Sequence, residues 1–117
     1  MKLITIGAVL FLCPALVVAD STPDCTGKGG YPASMAFVYL KNAGLTDNIK
    51  TYFEGITVTR LASEKVGKDL YRQVHLVRFP QGSGEPLEVI TVNDASHEEC
   101  SMSGVEVFVV ARRLGEP

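Results

Sequence analysis

Ile56-Thr57-Val58-Thr59-Arg60-Leu61-Ala62-Ser63-Glu64-Lys65-Val66-Gly67-Lys68-Asp69-Leu70-Tyr71-Arg72-Gln73-Val74-His75-Leu76-Val77-Arg78-Phe79 reads as two β-strands and the turn between them. Up to Gly55 the apolar residues recur every three to four positions; beyond it the period drops to two. Ile56, Val58, Arg60 and Ala62 alternate with Thr57, Thr59, Leu61 and Ser63, and the strand runs on to Val66. Gly67-Lys68 supplies the turn. From Leu70 to Phe79, Val74 and Leu76 oppose Tyr71, His75, Val77 and Phe79. Alternation of this kind suits a strand with one face on a core and the other in water.

On the C-terminal side, Pro80 to Pro86 is a connection holding Gly82 and Gly84. Leu87, Val89 and Thr91 then alternate with Glu88, Ile90 and Val92. Asn93 to Ser103 is expected to be a polar loop, and Val105 to Leu114 a last strand. On the N-terminal side, Pro32 fits the first turn of a helix over Ala33–Leu40, with Asn42-Ala43-Gly44 as its stop. Thr46 or Asp47 is expected to cap a second helical piece carrying Leu45, Ile49, Tyr52, Phe53 and Ile56; whether one bent helix or two short ones is left open. Four strands in sequence with short or medium loops favour an antiparallel meander. The fold class predicted is α+β, an N-terminal helical segment packed on a four-stranded antiparallel meander.

Ahead of the helix lie two segments of different character. Lys2, the apolar run Leu3 to Val18, and Val17-x-Ala19 have the layout of a secretory signal peptide cleaved after Ala19. The run is short for a membrane span and has no basic flank on its far side. Phe11 and Leu12 stand before Cys13 where a lipidation motif needs small residues. Residues 1–19 are thus read as signal peptide, 20–30 as a flexible arm rich in glycine, and 31–117 as a single domain. The expected localisation is secreted or periplasmic.

Composition bounds the partners. The 117 residues less a 19-residue signal leave 98, one small domain with a thin stability margin. Losing Lys2 takes the formal net charge from −2 to −3. Basic residues are dispersed, Arg112-Arg113 being the one adjacent pair, so neither nucleic acid nor, after signal cleavage, a membrane is an expected partner. Cys25 and Cys100 remain after signal removal, and an even pair in an oxidising compartment predicts a disulfide. It would close a loop of about 75 residues, worth about 3–4 kcal/mol. The competing reading, Cys100 as a nucleophile near His97, is disfavoured because Glu98 and Glu99 would raise the thiol pKa.

The first hairpin resembles that of the cystatins. That family has an Arg-bearing strand, a Q-x-V-x-G tip, and a Tyr-bearing strand alternating with valines. In this chain Arg60 precedes the tip, Glu64 stands where the Gln would, Val66 at the Val, Gly67 one place early, and Tyr71 follows. Gly29 or Gly30 occupies roughly the place of the N-terminal glycine. The resemblance implies a cystatin-like helix on a four-stranded sheet, and inhibition of a papain-type cysteine protease by a wedge of arm, hairpin tip and a Pro-Trp hairpin. The third element is absent, because the chain has no tryptophan. The same shape also serves bacterial immunity proteins and other exported binding modules.

No catalytic constellation assembles. His75 lies mid-strand on the Tyr71/Gln73/Val77/Phe79 face and is expected to be a half-buried, locally hydrogen-bonded histidine. His97 with Glu98 and Glu99 is expected to be a solvated acidic loop rather than a metal site. Glu85, Glu88 and Asp94 form no acid/base pair, and Gly82-x-Gly84 is no phosphate loop. The expectation is a protein that is not an enzyme, with no cofactor and no metal. It would inhibit a target enzyme through Gly29, Gly30, Glu64, Lys65, Val66 and Gly67. The alternatives are a non-inhibitory envelope or secreted binding module, a periplasmic immunity protein and, ranked last, a small-cavity enzyme.

Overall fold

In the computed structural model, which describes residues 21–111 together with Gly7, Leu114 and Gly115, one α-helix lies on an antiparallel sheet of four strands. The order is α1 (Tyr31–Asn42), β1 (Thr57–Gly67), β2 (Leu70–Phe79), β3 (Leu87–Ala95) and β4 (Glu106–Val109), and the strands neighbour one another in that same order. This is the predicted α+β meander. Apart from Gly7, the residues read as a signal peptide lie outside the described residues. No helix among the described residues is long and apolar enough to cross a membrane.

Pro32 sits in the first turn of α1, where its missing N–H is no loss. At the other end Gly44 takes a left-handed conformation, φ 74°. Its N–H donates to the Lys41 carbonyl at 3.0 Å, and the Leu45 N–H donates to the Leu40 carbonyl at 2.9 Å, a Schellman stop. The helix buries Ala33, Ala36 and Leu40 against Val77, Phe79, Val89 and Ile56. Two alanines on the contact face let the helix lie close on the sheet. Phe37 fills the flank, edge-on to Phe53 at 5.0 Å and tilted on Phe79 at 6.3 Å.

Four boundaries differ from the sequence expectation. The second helical piece does not form. Asp47 instead accepts the N–H groups of Ile49 (2.9 Å) and Lys50 (2.7 Å), a side-chain turn that competes with helix. The chain then runs beside the β2–β3 connection: Tyr52 N–H donates to Pro80 carbonyl, Gly82 N–H to Lys50 carbonyl, and Thr51 bridges Gln81. Only one 3-10 turn remains, Phe53–Gly55, and Ile49 is 94 % exposed. Gly55 is there for close approach, since a Cβ would stand 2.8 Å from Tyr52 Cδ1 and 3.0 Å from Pro80 Cγ.

The hairpin turn is Lys68-Asp69 rather than Gly67-Lys68, with Gly67 opposite Leu70 and Asp69 at φ 45°. Strand β3 runs to Ala95, because Tyr71, Arg72 and Gln73 supply partners for Ala95, Asp94 and Asn93. An Arg72–Asp94 ion pair at 3.1 Å crosses that register. Strand β4 ends at Val109, opposite Val89, and one further bond runs from the Val110 N–H to the Glu88 carbonyl at 2.9 Å.

Candidate functional site

Alternation puts Tyr71, Gln73, His75, Val77 and Phe79 of β2 on the inner face, with Val89, Thr91, Asn93 and Ala95 of β3 beside them. The half nearer α1 is apolar. The half nearer the hairpin tip is polar: Gln73 stands opposite Asn93, and His75 opposite Thr91, all four buried. The arm covers this polar half. Gln73 Nε2 donates to the Pro23 carbonyl at 2.8 Å and to Ser63 Oγ at 3.1 Å, and the Arg60 guanidinium reaches the same carbonyl at 3.2 Å. Asn93 Nδ2 donates to the Cys100 carbonyl at 2.7 Å. The predicted Cys25–Cys100 disulfide is present, with Cα atoms 5.8 Å apart, and fastens the arm over these residues.

The layer is only partly satisfied. Gln73 Oε1, Asn93 Oδ1, Thr91 Oγ1 and both ring nitrogens of His75 have no hydrogen-bond partner among the described residues. The expected half-buried, locally bonded His75 is therefore corrected: it is fully buried and unpartnered. Burial, which disfavours a charged ring, pushes its pKa below 6.5, helped by the Arg60 charge and opposed by Asp24. His75 and Tyr71 are closed off from solvent.

At the sheet's far end the hairpin tip is tied down. His97 Nδ1 meets Asp69 Oδ1, the same carboxylate accepts the His97 backbone N–H at 3.1 Å, and His97 Nε2 meets the Ser21 carbonyl. The ring lies edge-on to Tyr71, 5.3 Å between centroids. Both ring nitrogens thus face oxygens that only accept, an arrangement complete when both carry protons. The Asp69 bond, then the Ser21 bond, raises the His97 pKa above 6.5, and the imidazole holds the Asp69 carboxyl below its usual range. Among the described residues no group of three or more His, Cys, Asp or Glu forms a metal cluster.

The proposed contact residues fall into two places. Glu64 and Lys65 are exposed at the distal end of β1, Val66 is 40 % exposed, and Gly67 closes the turn. Gly29 and Gly30 lie in the turn that leads into α1, where the Gly30 N–H donates to the Gly27 carbonyl at 2.9 Å. A Cβ on Gly30 would sit 3.0 Å from that carbonyl oxygen, so its glycine is explained by the turn itself; Gly29 has open space around it. No hydrogen bond among the described residues joins either glycine to the hairpin tip, and the arm residue that reaches the tip's brace is Ser21. The signal for this was slight: an Asp right after Gly-Lys in a hairpin, a residue type that tolerates left-handed backbone. Beside Arg60 the arm borders a polar hollow of about 470 Å³ lined by Ser21, Thr22, Asp24 and Thr26. Elsewhere, an apolar cleft of about 340 Å³ lies between the end of α1 and β4, lined by Tyr39, Leu45, Val105, Val107 and Val109 among others. No family model matches this chain, and no curated protein or solved structure matches it.

Proposed function

We propose that the chain is an exported binding protein that inhibits a target enzyme, a cysteine protease of the papain type, with the β1–β2 hairpin tip as its cystatin-like contact. The observation that carries this reading is the brace on the tip. Asp69 is held by both the ring and the backbone of His97, and His97 is in turn held by Ser21. A braced projection loses little freedom on binding, which favours association. It offers Glu64, Lys65 and Val66 to a cleft on a strand whose backbone is already paired with β2. The arm contributes at that end through Ser21 and Thr22 rather than through Gly29 and Gly30. With the Pro-Trp hairpin missing, generic papain is inhibited weakly at most.

The test is a titration of a panel of papain-type proteases with wild type, Val66→Asp and Gly29→Glu. Gly29 is the arm glycine substituted, because a side chain there meets open space whereas one at Gly30 would disturb the turn. The reading expects Val66→Asp to weaken inhibition by about tenfold or more. It expects Gly29→Glu to have little effect. A panel with no inhibited enzyme overturns the protease assignment, and equal inhibition by Val66→Asp overturns the tip. The apolar cleft beside β4 favours a second reading, a binding module without inhibition, whose contact lies away from the tip.

A further inference from the structure

The two edges of the sheet are built differently. β1, at one edge, carries Arg60, Glu64 and Lys65 and shifts register between Arg60 and Ala62 and again between Lys65 and Gly67. Charges and bulges of this kind stop a strand edge from pairing with another chain. β4, at the other edge, has no bulge, and its one charge is Glu106 at its first position. Its register against β3 is unbroken, and Val107-Phe108-Val109-Val110-Ala111 contains no charge and no proline. Phe108, Val109 and Val110 are 52 %, 45 % and 42 % exposed.

The ladder decides which backbone groups of that edge are free. Val110 N–H donates to the Glu88 carbonyl, and Val109 stands opposite Val89. Bonded and non-bonded pairs alternate along an antiparallel ladder. Val110, Phe108 and Glu106 therefore bond inward to β3, and the N–H and C=O groups of Val107, Val109 and Ala111 point outward.

We infer that β4 pairs antiparallel with β4 of a second copy of this chain, about a two-fold axis at Val109, so that one sheet runs through both copies. A two-fold contact must be self-complementary, and this register is. All three outward residues find partners, Val109 with its own mate and Val107 with Ala111 twice. On the other face Phe108 stands beside Val110 twice, an apolar cross-strand pair. In the sequence Glu106 and Arg112 stand three positions either side of Val109, so continuing this register would set opposite charges against each other at both ends of the contact. Centring the pair on Phe108 instead would set Glu106 against Val110 and lose that complement. With the axis perpendicular to the sheet, both helices lie on one side, and the clefts lined by Tyr39, Leu45, Val107 and Val109 adjoin across it. The contact is separate from the hairpin tip and does not depend on the inhibitor reading.

Sedimentation velocity of the oxidised protein at submillimolar concentration tests this, with Val109→Lys, Glu106→Arg, the charge swap Glu106→Arg/Arg112→Glu, and Thr59→Lys on the β1 edge. Wild type and Thr59→Lys are expected to be dimers. Val109→Lys is expected to be a monomer with an unchanged circular dichroism spectrum. Glu106→Arg should weaken the dimer by about tenfold or more, and the swap should restore it. A monomeric wild type overturns the inference, including one that instead gains strand signal with an added extended peptide, which would assign the edge to a different chain. A dimer broken by Thr59→Lys and not by Val109→Lys places the contact on β1 and overturns it too. Full affinity in both Glu106→Arg and the swap refutes the two-fold at Val109.

Discussion

His97 takes hold of Asp69 twice, by its ring Nδ1 and by its backbone N–H, across a separation of 28 residues. Asp69 is the described non-glycine residue with positive φ, 45°, and the turn it makes is stabilised from outside the hairpin. The pair fixes where β2 begins relative to the loop after β3, and so fixes the direction of the whole tip.

The first prediction concerns the sign of its pH dependence. The folded pKa of His97 is raised above 6.5, so the folded state binds the proton more tightly than the unfolded chain does. The brace contributes fully below about pH 6.5 and is lost as pH rises through the raised value. NMR titration of the His97 ring should give a pKa above 6.5, and Asp69→Asn should bring it down. A His97 pKa that ignores Asp69→Asn contradicts the geometry.

His75 carries the opposite sign. Its folded pKa is lowered, so the unfolded state binds more protons and stability falls as pH drops below about 6.5. Asp24 and Arg60 are the charged groups that act on it, Asp24 opposing the shift and Arg60 adding to it. Urea unfolding at neutral pH and at pH about 5 should show less stability in acid, and His75→Gln should flatten that part of the profile. An unchanged acid slope in His75→Gln would assign the effect elsewhere.

Removing the Cys25–Cys100 bridge with Cys25→Ser/Cys100→Ser should lower the unfolding free energy by roughly 2–5 kcal/mol. The loss should be accompanied by exposure of the polar layer, since the bridge holds the arm over Gln73, His75 and Asn93. The expected readout is a His75 pKa that moves back toward 6.5 and faster amide exchange at Gln73 and Thr91. A destabilised protein in which the His75 pKa stays low would mean the arm is seated without the bridge.

Leu40 and Ile49 are similar in size and opposite in environment. Leu40→Ala empties a core position against the sheet and should cost roughly 2–5 kcal/mol. Ile49→Ala, at a side chain almost wholly in water, should change stability by no more than about 0.5 kcal/mol. Denaturant midpoints separate the two cases, and a large loss at Ile49 would restore the helical reading of that segment.

That last contrast also shows what the sequence could and could not say. The inner face of β2 was legible because a half-buried strand has to alternate, and Tyr71, Val77 and Phe79 do. The disulfide was legible by elimination of partners. Leu45, Ile49, Tyr52 and Phe53 imitate helical spacing, yet Asp47 turns the backbone and Gln81 pairs with Thr51 across a connection about 30 residues away. Val110 and Ala111 have strand composition but lie beyond the end of β4. Glu64 to Gly67 lie at the hairpin end that the alternation marked out, and Gly30 closes a turn onto Gly27, a contact that spacing does not show. The His97–Asp69 tie and the buried Gln73, His75, Thr91 and Asn93 cluster are products of register between strands, which local spacing does not encode.

The Cys25–Cys100 bridge has a consequence for how the chain is made. Its two ends are 75 positions apart, one ahead of α1 and the other just before β4. A chain synthesised from its N-terminus therefore shows the Cys25 thiol while the strands it will be fastened over are still to come. This bond can only follow the making of β1, β2 and β3, and a chain cut short anywhere before Cys100 cannot form it. A Cys25 thiol not joined to Cys100 is thus a mark of an unfinished molecule, and the closing of that bond marks the sheet beneath the arm as complete.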